Sequence, residues 1–241
     1  HRDLMARFCG FDKSDGNMSG WSTLDSSKDW TIRWWALEPM KLKDALDELQ
    51  YNGGFIFKSR ANGTGQYIHI PDSITINHTF TNDDISDINV NHIPYNDLFT
   101  KADISYEKHP AGGKYLTTVT SANSTQRANW NIPSLENITQ VSLDAYTSPT
   151  IPATPGSNPN DDWYTYYDNI LSTLTKKVVD ATIVNPAYYV VEVGDFVDFS
   201  STAGEMNPSK AFGTSWSGLK FIITSTSRSL GTIKFTARQV S

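Results

Sequence analysis

The stretch from Tyr188 to the C-terminus constrains the fold of this chain more than any other feature of its sequence. Aliphatic and aromatic residues alternate there with polar ones, and residues that favour turns separate the runs. A period of two places one set of side chains on a buried sheet face. The predicted strands are Tyr188–Val193, Phe196–Phe199, Phe221–Ile223 and Ile233–Arg238. The pattern predicts that these strands close a β-barrel-type domain.

The composition also favours a β-rich globular protein. Of the 241 residues, 38% are hydrophobic and 12% are aromatic, which is too apolar for a disordered segment. Charged residues make up only 19%, whereas Ser, Thr and Asn are plentiful. Uncharged polar residues suit the outer faces of sheets and long loops. We therefore predict an α+β, β-rich fold: a β-barrel-type domain with an inserted or preceding small strand–helix–hairpin unit.

Residues 30–71 predict that small unit. Trp30–Leu37 is aromatic and β-branched, which is typical of a strand. The apolar positions with the spacing of a one-sided helix are Leu42, Ala45, Leu46 and Leu49. A hairpin follows, with Asn62-Gly63 as its turn. We accordingly assign residues 1–76 to a small α+β unit and residues 77–241 to a β-barrel-like domain.

Within residues 77–241 the pattern is less uniform. Residues 104–107 and 115–120 predict two strands, and residues 135–143 fit either a strand or a helix. Residues 81–97 are polar and are interrupted by Pro94. Residues 163–179 carry aromatic and aliphatic side chains along one face and predict a helix.

Charge and cysteine content exclude several functional classes. The net charge is −6 and the pI about 5.3, and no run of basic residues exceeds Lys176-Lys177. Nucleic-acid binding needs a concentrated basic patch, so we expect no nucleic-acid partner. No stretch approaches the roughly 20 apolar residues of a membrane span. Because Cys9 is the single cysteine, no intrachain disulfide can form.

No catalytic or metal-binding constellation is evident, so we predict no enzyme, no metal and no cofactor. The acidic cluster Asp83, Asp84 and Asp87 fits either a surface Ca²⁺ site or, as we favour, an Asp-rich helix start. Glycoside hydrolysis would need two carboxylates roughly 5–10 Å apart. The conceivable members are Glu38, Glu107, Asp144 and Glu192, which sequence alone cannot pair.

An aromatic cluster formed by Trp30, Trp34 and Trp35 is the one candidate site. In a strand, Trp30 and Trp34 would share one face and Trp35 the other. These side chains fit a sugar-stacking platform, but a core face opposite a protein–protein interface is the interpretation that base rates favour.

Two stretches together resemble a known family. The first is the amphipathic helix and Gly-rich hairpin from Leu42 to Ile70. The second is the pair Glu192-Val193-Gly194-Asp195-Phe196-Val197 and Ile223-Thr224-Ser225-Thr226-Ser227-Arg228, which ends at Thr236-Ala237-Arg238-Gln239-Val240. This is similar to the baseplate-hub and tail-tip proteins of long-tailed bacteriophages, in which an E-x-G-D-x-V strand pair and an I-T-S-x-S-R hairpin close a β-barrel. Gln239 stands where that family has Glu.

The resemblance implies a virion structural protein of the phage tail. It implies a homotrimeric ring between tail tube and tip, with tube, tip or fibre proteins as partners. The chain begins with His1 rather than Met, and we expect it to be a piece of a longer polypeptide. The alternatives are a carbohydrate-binding or adhesin module and, after it, a glycan-cleaving enzyme.

Overall fold

The computed structural model confirms the α+β, β-rich fold. It describes residues 1–14, 16–28, 32–36, 38–71, 73–92, 94, 99–133, 138–145, 177–199, 210–211 and 214–240. The chain divides into two compact units. Unit 1 comprises His1–Asp72 and Phe99–Ser172, and unit 2 comprises Ser73–Leu98 and Thr173–Ser241. Each unit is therefore built from two separate stretches of the chain.

Unit 2 is dominated by one sheet, which contains six strands among the described residues. The strands are β4 His78–Phe80, β5 Ile85–His92, β9 Lys177–Ile183, β10 Phe196–Phe199, β13 Phe221–Ser229 and β14 Thr232–Gln239. Their order across the sheet is β4-β10-β13-β14-β9-β5. A small ladder joins β11 Lys210–Ala211 to β12 Thr214–Ser215. All neighbours in the large sheet are antiparallel except β4 and β10.

The connection between the two edge strands shows that this sheet curls. In a flat sheet, five spacings of about 4.8 Å would separate β4 from β5 by about 24 Å. Phe80 ends β4, however, and Ile85 begins β5 only five residues later. Five residues span at most about 17 Å. The edges must approach each other, which gives the sheet the curvature of a partly closed barrel.

The concave face of that sheet holds the core of unit 2. Its fully buried members include Phe80, Phe199, Trp216, Phe221 and Phe235, whose rings contact one another at centroid distances of 5.1–6.2 Å. Strand β9 alternates as the period of two requires, with odd-numbered positions buried. Burial of these large aromatic side chains stabilises unit 2 through the hydrophobic effect.

Strand β5 was not predicted, because a bulge breaks its alternation. Ile85 lies opposite Ile183, but the register then shifts, so that Ile88 lies opposite Ala181 and Val90 opposite Val179. The apolar positions Ile85, Ile88 and Val90 are therefore spaced three residues apart and then two. They do not follow the period of two by which a sequence indicates a strand.

The pairing of β5 with β9 explains why unit 1 contains residues 99–172. His92, the last residue of β5, is the register partner of Lys177, the first residue of β9. Paired residues in an antiparallel ladder lie about 5 Å apart. The chain therefore leaves unit 2 and returns to it at the same place. The sequence placed residues 77–241 in one domain with the boundary at residue 76, whereas this division groups residues 99–172 with the N-terminal part.

Unit 1 contains four helices and two three-stranded sheets among its described residues. The helices are α1 Arg2–Cys9, α2 Trp21–Ser27, α3 Leu42–Gly53 and α4 Ser124–Asn129. One sheet orders β1 Met18–Ser19, β3 Gly65–Ile68 and β2 Ile56–Ser59. The other orders β7 Tyr115–Ala122, β6 Lys101–Lys108 and β8 Ile138–Leu143, with β8 parallel to β6. The structure thus settles residues 138–143 as a strand.

Helix α3 and the hairpin β2–β3 match the sequence prediction. Gly54 ends α3 in the left-handed region with φ 65°, which a glycine adopts without a steric penalty. Gly63 has φ 82° in the hairpin turn, and Asn62 Oδ1 accepts a hydrogen bond from Thr64 N at 3.0 Å. The local residues therefore encode both the helix stop and the turn.

Two strand predictions were wrong. Residues 32–36 carry a single bridge at Ile32 instead of the strand predicted over residues 30–37, and Val190–Val193 follow a short 3₁₀ helix, Pro186–Tyr188, where a strand was predicted. The helix predicted over residues 163–179 lies outside the described residues up to residue 176, and its last three positions belong to strand β9 instead. Long-range pairing and competing side-chain bonds overrode local propensity in these segments.

Candidate functional site

Gly194 and Asp195 form the turn that precedes β10. Gly194 has φ 91°, a value that L side chains rarely adopt, and its N–H donates to Ile223 O at 2.8 Å. Asp195 is buried, and its Oδ2 accepts a hydrogen bond from Glu192 N at 2.7 Å. Val197 and Phe199 then point into the core. These contacts lock β10 against β13.

Arg228 fastens the segment after the 3₁₀ helix, a role that the sequence did not reveal. Its guanidinium donates to Tyr189 O at 3.2 Å and to Val191 O at 2.5 Å. Tyr189 OH donates in return to Ser229 O at 2.7 Å. Because the backbone carbonyls of this segment bond to an arginine side chain, they do not form a strand ladder there. The arginine that ends the I-T-S-x-S-R motif is therefore a structural clamp.

Three exposed aliphatic side chains lie at the same end of unit 2, and we call them the apolar end. Leu230 is at the tip of the β13–β14 hairpin and is fully exposed. Val190 is 65% exposed and lies between the two residues that Arg228 holds. Val184 is 41% exposed and follows Ile183, the partner of Ile233 near the same hairpin end. Apolar side chains clustered on a surface are typical of interaction sites.

In the acidic cluster at residues 83–87, the protein's own donors bind the carboxylate of Asp84. Asp84 is buried, and its carboxylate accepts hydrogen bonds from Thr81 N at 2.9 Å, Thr81 Oγ1 at 2.7 Å and Asn185 Nδ2 at 2.7 Å. Burial raises the pKa of Asp84, but these hydrogen bonds outweigh it and hold the pKa below its usual range. The side chain of Asp84 therefore caps the start of the 3₁₀ helix Asn82–Asp84, which agrees with the helix-start interpretation. No group of three metal-ligating side chains occurs among the described residues.

Unit 1 contains a cleft with a volume of about 380 Å³, which we call the Trp34 cleft. It brings together the segment after Ile32, helix α3, the end of β6 and the end of β8. Its lining residues are Arg33, Trp34, Trp35, Ala36, Glu38, Pro39, Met40, Glu48, Lys108, His109, Pro110, Asp144 and Ala145. Trp34 and Trp35 line it together, because their segment is not a strand and does not send them to opposite faces.

Helix α3 fixes the aromatic wall of the Trp34 cleft. Trp34 Nε1 donates to Glu48 Oε2 at 3.1 Å. Two turns of the same helix are tied to the end of β8 by Asn52, whose Nδ2 donates to Glu48 O at 2.8 Å and whose Oδ1 accepts from Ala145 N at 3.0 Å. Asn52 is almost completely buried. Helix α3 thus holds both the indole of Trp34 and the opposite wall of the cleft at Ala145.

A charged group forms the other side of the Trp34 cleft. Asp144 accepts hydrogen bonds from Lys108 Nζ and Tyr115 OH. Burial raises the pKa of Asp144, but the bonds from Lys108 and Tyr115 outweigh it and lower the pKa. The hydrogen bond to Asp144 raises the pKa of Lys108. Both groups therefore stay ionised at neutral pH, and this part of the cleft is rigid and polar.

The carboxylates considered for catalysis separate into two groups. Glu38 and Asp144 line the Trp34 cleft, where Glu48, which the sequence did not single out, joins them. Glu107 is outside that lining, and its carboxylate accepts from Thr117 Oγ1 at 2.7 Å. Glu192 belongs to unit 2. Of the aromatic candidates, Trp30 lies outside the described residues, so the structure locates only Trp34 and Trp35.

None of the helices in the part of the chain that the structure describes has the length and apolar character needed to cross a membrane.

No protein-family model and no curated protein matches this chain. Solved structures do. A chain of the virion of a native gene transfer agent particle has a TM-score of 0.54 and 9% identity, covering 83% of this chain and 39% of that chain. A tail protein from Neisseria meningitidis MC58 has a TM-score of 0.53 and 9% identity, covering 99% of this chain and 64% of that chain. The chain thus spans less than two thirds of the length of both. At this identity the likeness concerns the fold, and this chain has the fold of these virion and tail proteins.

Proposed function

We propose that this chain is a structural component of a phage-type tail, located in the virion, which acts by protein–protein assembly. The observation that carries the proposal is the fold, shared with a tail protein over 99% of this chain. A second structure with the fold is part of a gene transfer agent virion. One fold can host several functions, so the surface of this chain must supply the specific argument.

The finer part of the proposal is a hub or tip component that forms a homotrimer. The apolar end supports it, because Val184, Val190 and Leu230 expose aliphatic side chains at one end of the sheet. Fixing them costs little entropy on association, since Arg228 and the β13–β14 ladder already order their backbone. Exposed apolar residues are what subunit interfaces bury at their centre. We propose other copies of this chain as the occupant of the apolar end.

The assembly state in solution tests the trimer. Light scattering on the purified chain is expected to give a mass three times the protomer's 26.9 kDa. The double variant Val190→Asp/Leu230→Asp places two charges in the proposed interface and is expected to weaken association by at least about tenfold. The matched control is Ile56→Asp/Leu116→Asp, which changes two strongly exposed aliphatic residues in unit 1 and should leave the mass unchanged.

The tail role is tested separately, in particles. Deletion of the gene from the phage or prophage that carries it should leave heads without complete tails in negative-stain electron microscopy. Wild-type protein supplied in trans should restore tails, and the Ile56→Asp/Leu116→Asp control should restore them as well. Complete tails in the deletion strain would overturn the tail role. A monomer at every concentration would instead overturn only the trimer.

A further inference from the structure

We propose that the Trp34 cleft in unit 1 binds a neutral saccharide. This site is distinct from the apolar end of unit 2, and the inference does not rest on the proposed assembly function. It would give the chain a recognition role in addition to a structural one.

The shape of the Trp34 cleft suits a sugar ring. Two indole side chains, Trp34 and Trp35, form its aromatic wall, and Pro39, Met40 and Pro110 add apolar surface. Pyranose rings present C–H groups on their faces, which pack on aromatic rings, and hydroxyl groups at their edges. The polar groups in the same lining meet such an edge. A volume of about 380 Å³ lies at the lower end of the range for ligand sites and accommodates about two sugar rings.

The charges lining the Trp34 cleft select a neutral ligand. The lining contains two cations, Arg33 and Lys108. It also contains three carboxylates, Glu38, Glu48 and Asp144, so that its net charge is −1 with His109 neutral. The positive charge of Lys108 is already paired with Asp144. Phosphate, sulfate or sialic acid would therefore meet more negative than positive charge, and a simple cation would meet Arg33. Hydroxyl groups can donate to carboxylates and accept from Arg and His in the same lining.

The wall of the cleft is preorganised, which lowers the entropic cost of binding. The bond from Trp34 Nε1 to Glu48 orients one indole. Asn52 holds Glu48's turn of α3 against the end of β8, and Lys108 with Tyr115 orients Asp144. His109 Nδ1 accepts a hydrogen bond from Gly112 N at 3.0 Å, which orients its ring so that Nε2 is the nitrogen left to face a ligand. These bonds are made within the protein and do not have to form on binding.

The test is a titration of the intact chain with four probes, in which binding is measured by calorimetry and by tryptophan fluorescence. The neutral probes are chitotetraose, cellotetraose and maltotetraose, and the anionic probe is dextran sulfate. We expect saturable binding of at least one neutral probe. Raising NaCl from about 0.05 M to about 0.5 M should change that affinity by less than about twofold, because no ion pair contributes.

Two variants identify the site. Trp35→Ala should weaken binding by at least about tenfold, the loss of roughly 1.4 kcal/mol or more, whereas Trp35→Phe keeps an aromatic face and should retain most of the affinity. The matched control is Phe8→Ala, which removes an aromatic side chain that is 67% exposed and lies outside the cleft. Absence of binding to all neutral probes would overturn the inference, and so would binding that Trp35→Ala leaves intact or that only dextran sulfate shows. Loss of sugar binding with intact tails would leave the assembly proposal standing.

Discussion

His69 is a histidine in unit 1 whose burial disfavours the protonated, charged form of its ring. Its side chain is only 9% exposed, and its Nε2 has no hydrogen-bond partner among the described residues. Burial, assisted by the nearby Lys28, lowers the pKa of His69 to about 4 from its ordinary 6.5. The folded protein therefore keeps this ring neutral at a pH at which the unfolded chain would protonate it.

The pH dependence of stability follows from that shift. Between pH 6.5 and about 4 the unfolded chain binds a proton that the folded chain does not, so the free energy of unfolding falls as the pH falls. We expect His69 to contribute roughly 2–3 kcal/mol to the loss between pH 7 and pH 4. Urea unfolding at several pH values should show a shallower decline in His69→Gln. The control His109→Gln, at an exposed turn position, should follow the wild type, and parallel declines in all three proteins would contradict the assignment.

Helix α3 organises unit 1 through its last two turns. Its amphipathic face supplies Leu46 to a cluster with Tyr67, Phe55 and Phe57. Its C-terminal turn uses the buried Asn52 to satisfy both a helix carbonyl and the N–H of Ala145. One side chain thereby connects an element that sequence identifies clearly to the strand β8, about ninety residues later in the chain. A buried group with two partners leaves both unsatisfied when it is removed.

Asn52→Ala should therefore destabilise the protein by about 2–3 kcal/mol, because Ala145 N–H would remain buried without an acceptor. In a chain of this size, each kcal/mol lowers Tm by roughly 2–4 °C. The control Asp47→Ala on the same helix removes only an exposed ion pair with Lys43, which solvent screens, and should lower Tm far less than Asn52→Ala does. Thermal unfolding followed by circular dichroism separates the two. Equal losses would show that the Asn52 bonds contribute little.

At the scale of the whole molecule, each unit is assembled from two stretches of chain. Residues 99–172, which belong to unit 1, are inserted between β5 and β9 of unit 2, where His92 and Lys177 are paired. The core of unit 2 draws on Phe80 from the first stretch and on Phe199, Phe221 and Phe235 from the second. Contacts between residues so far apart close late in folding and depend on the correct partner strand.

A shortened chain should test this architecture. Residues 73–92 joined to residues 177–241 by an Asn-Gly turn should give a protein that unfolds cooperatively, because the β5–β9 ladder becomes an ordinary hairpin. The comparison is residues 177–241 alone, which lack β4, β5 and Phe80 and leave two strand edges unpaired. That piece should show no cooperative transition. If the joined protein also lacked a cooperative unfolding transition, unit 2 would require residues 93–176.

Local sequence determined the elements whose burial is one-sided and regular. Apolar residues with periods of 3.6 and 2, together with glycines at positive φ, specify helix α3, the β2–β3 hairpin and strands β10, β13 and β14. The resemblance of the sequence to phage tail proteins also anticipated the fold that this chain shares with solved virion and tail proteins. Trp34 and Trp35 were identifiable as candidates by their composition alone.

Only the tertiary structure decided how those elements are combined. The bulge in β5, the Arg228 clamp and the pairing of His92 with Lys177 depend on partners far away in the chain. The Trp34 cleft likewise needs α3, β6 and β8 to meet, so Glu48 and Asp144 could not be joined to the tryptophans by spacing. A period records which side of an element is buried, whereas the identity of the neighbour is a property of the assembled core.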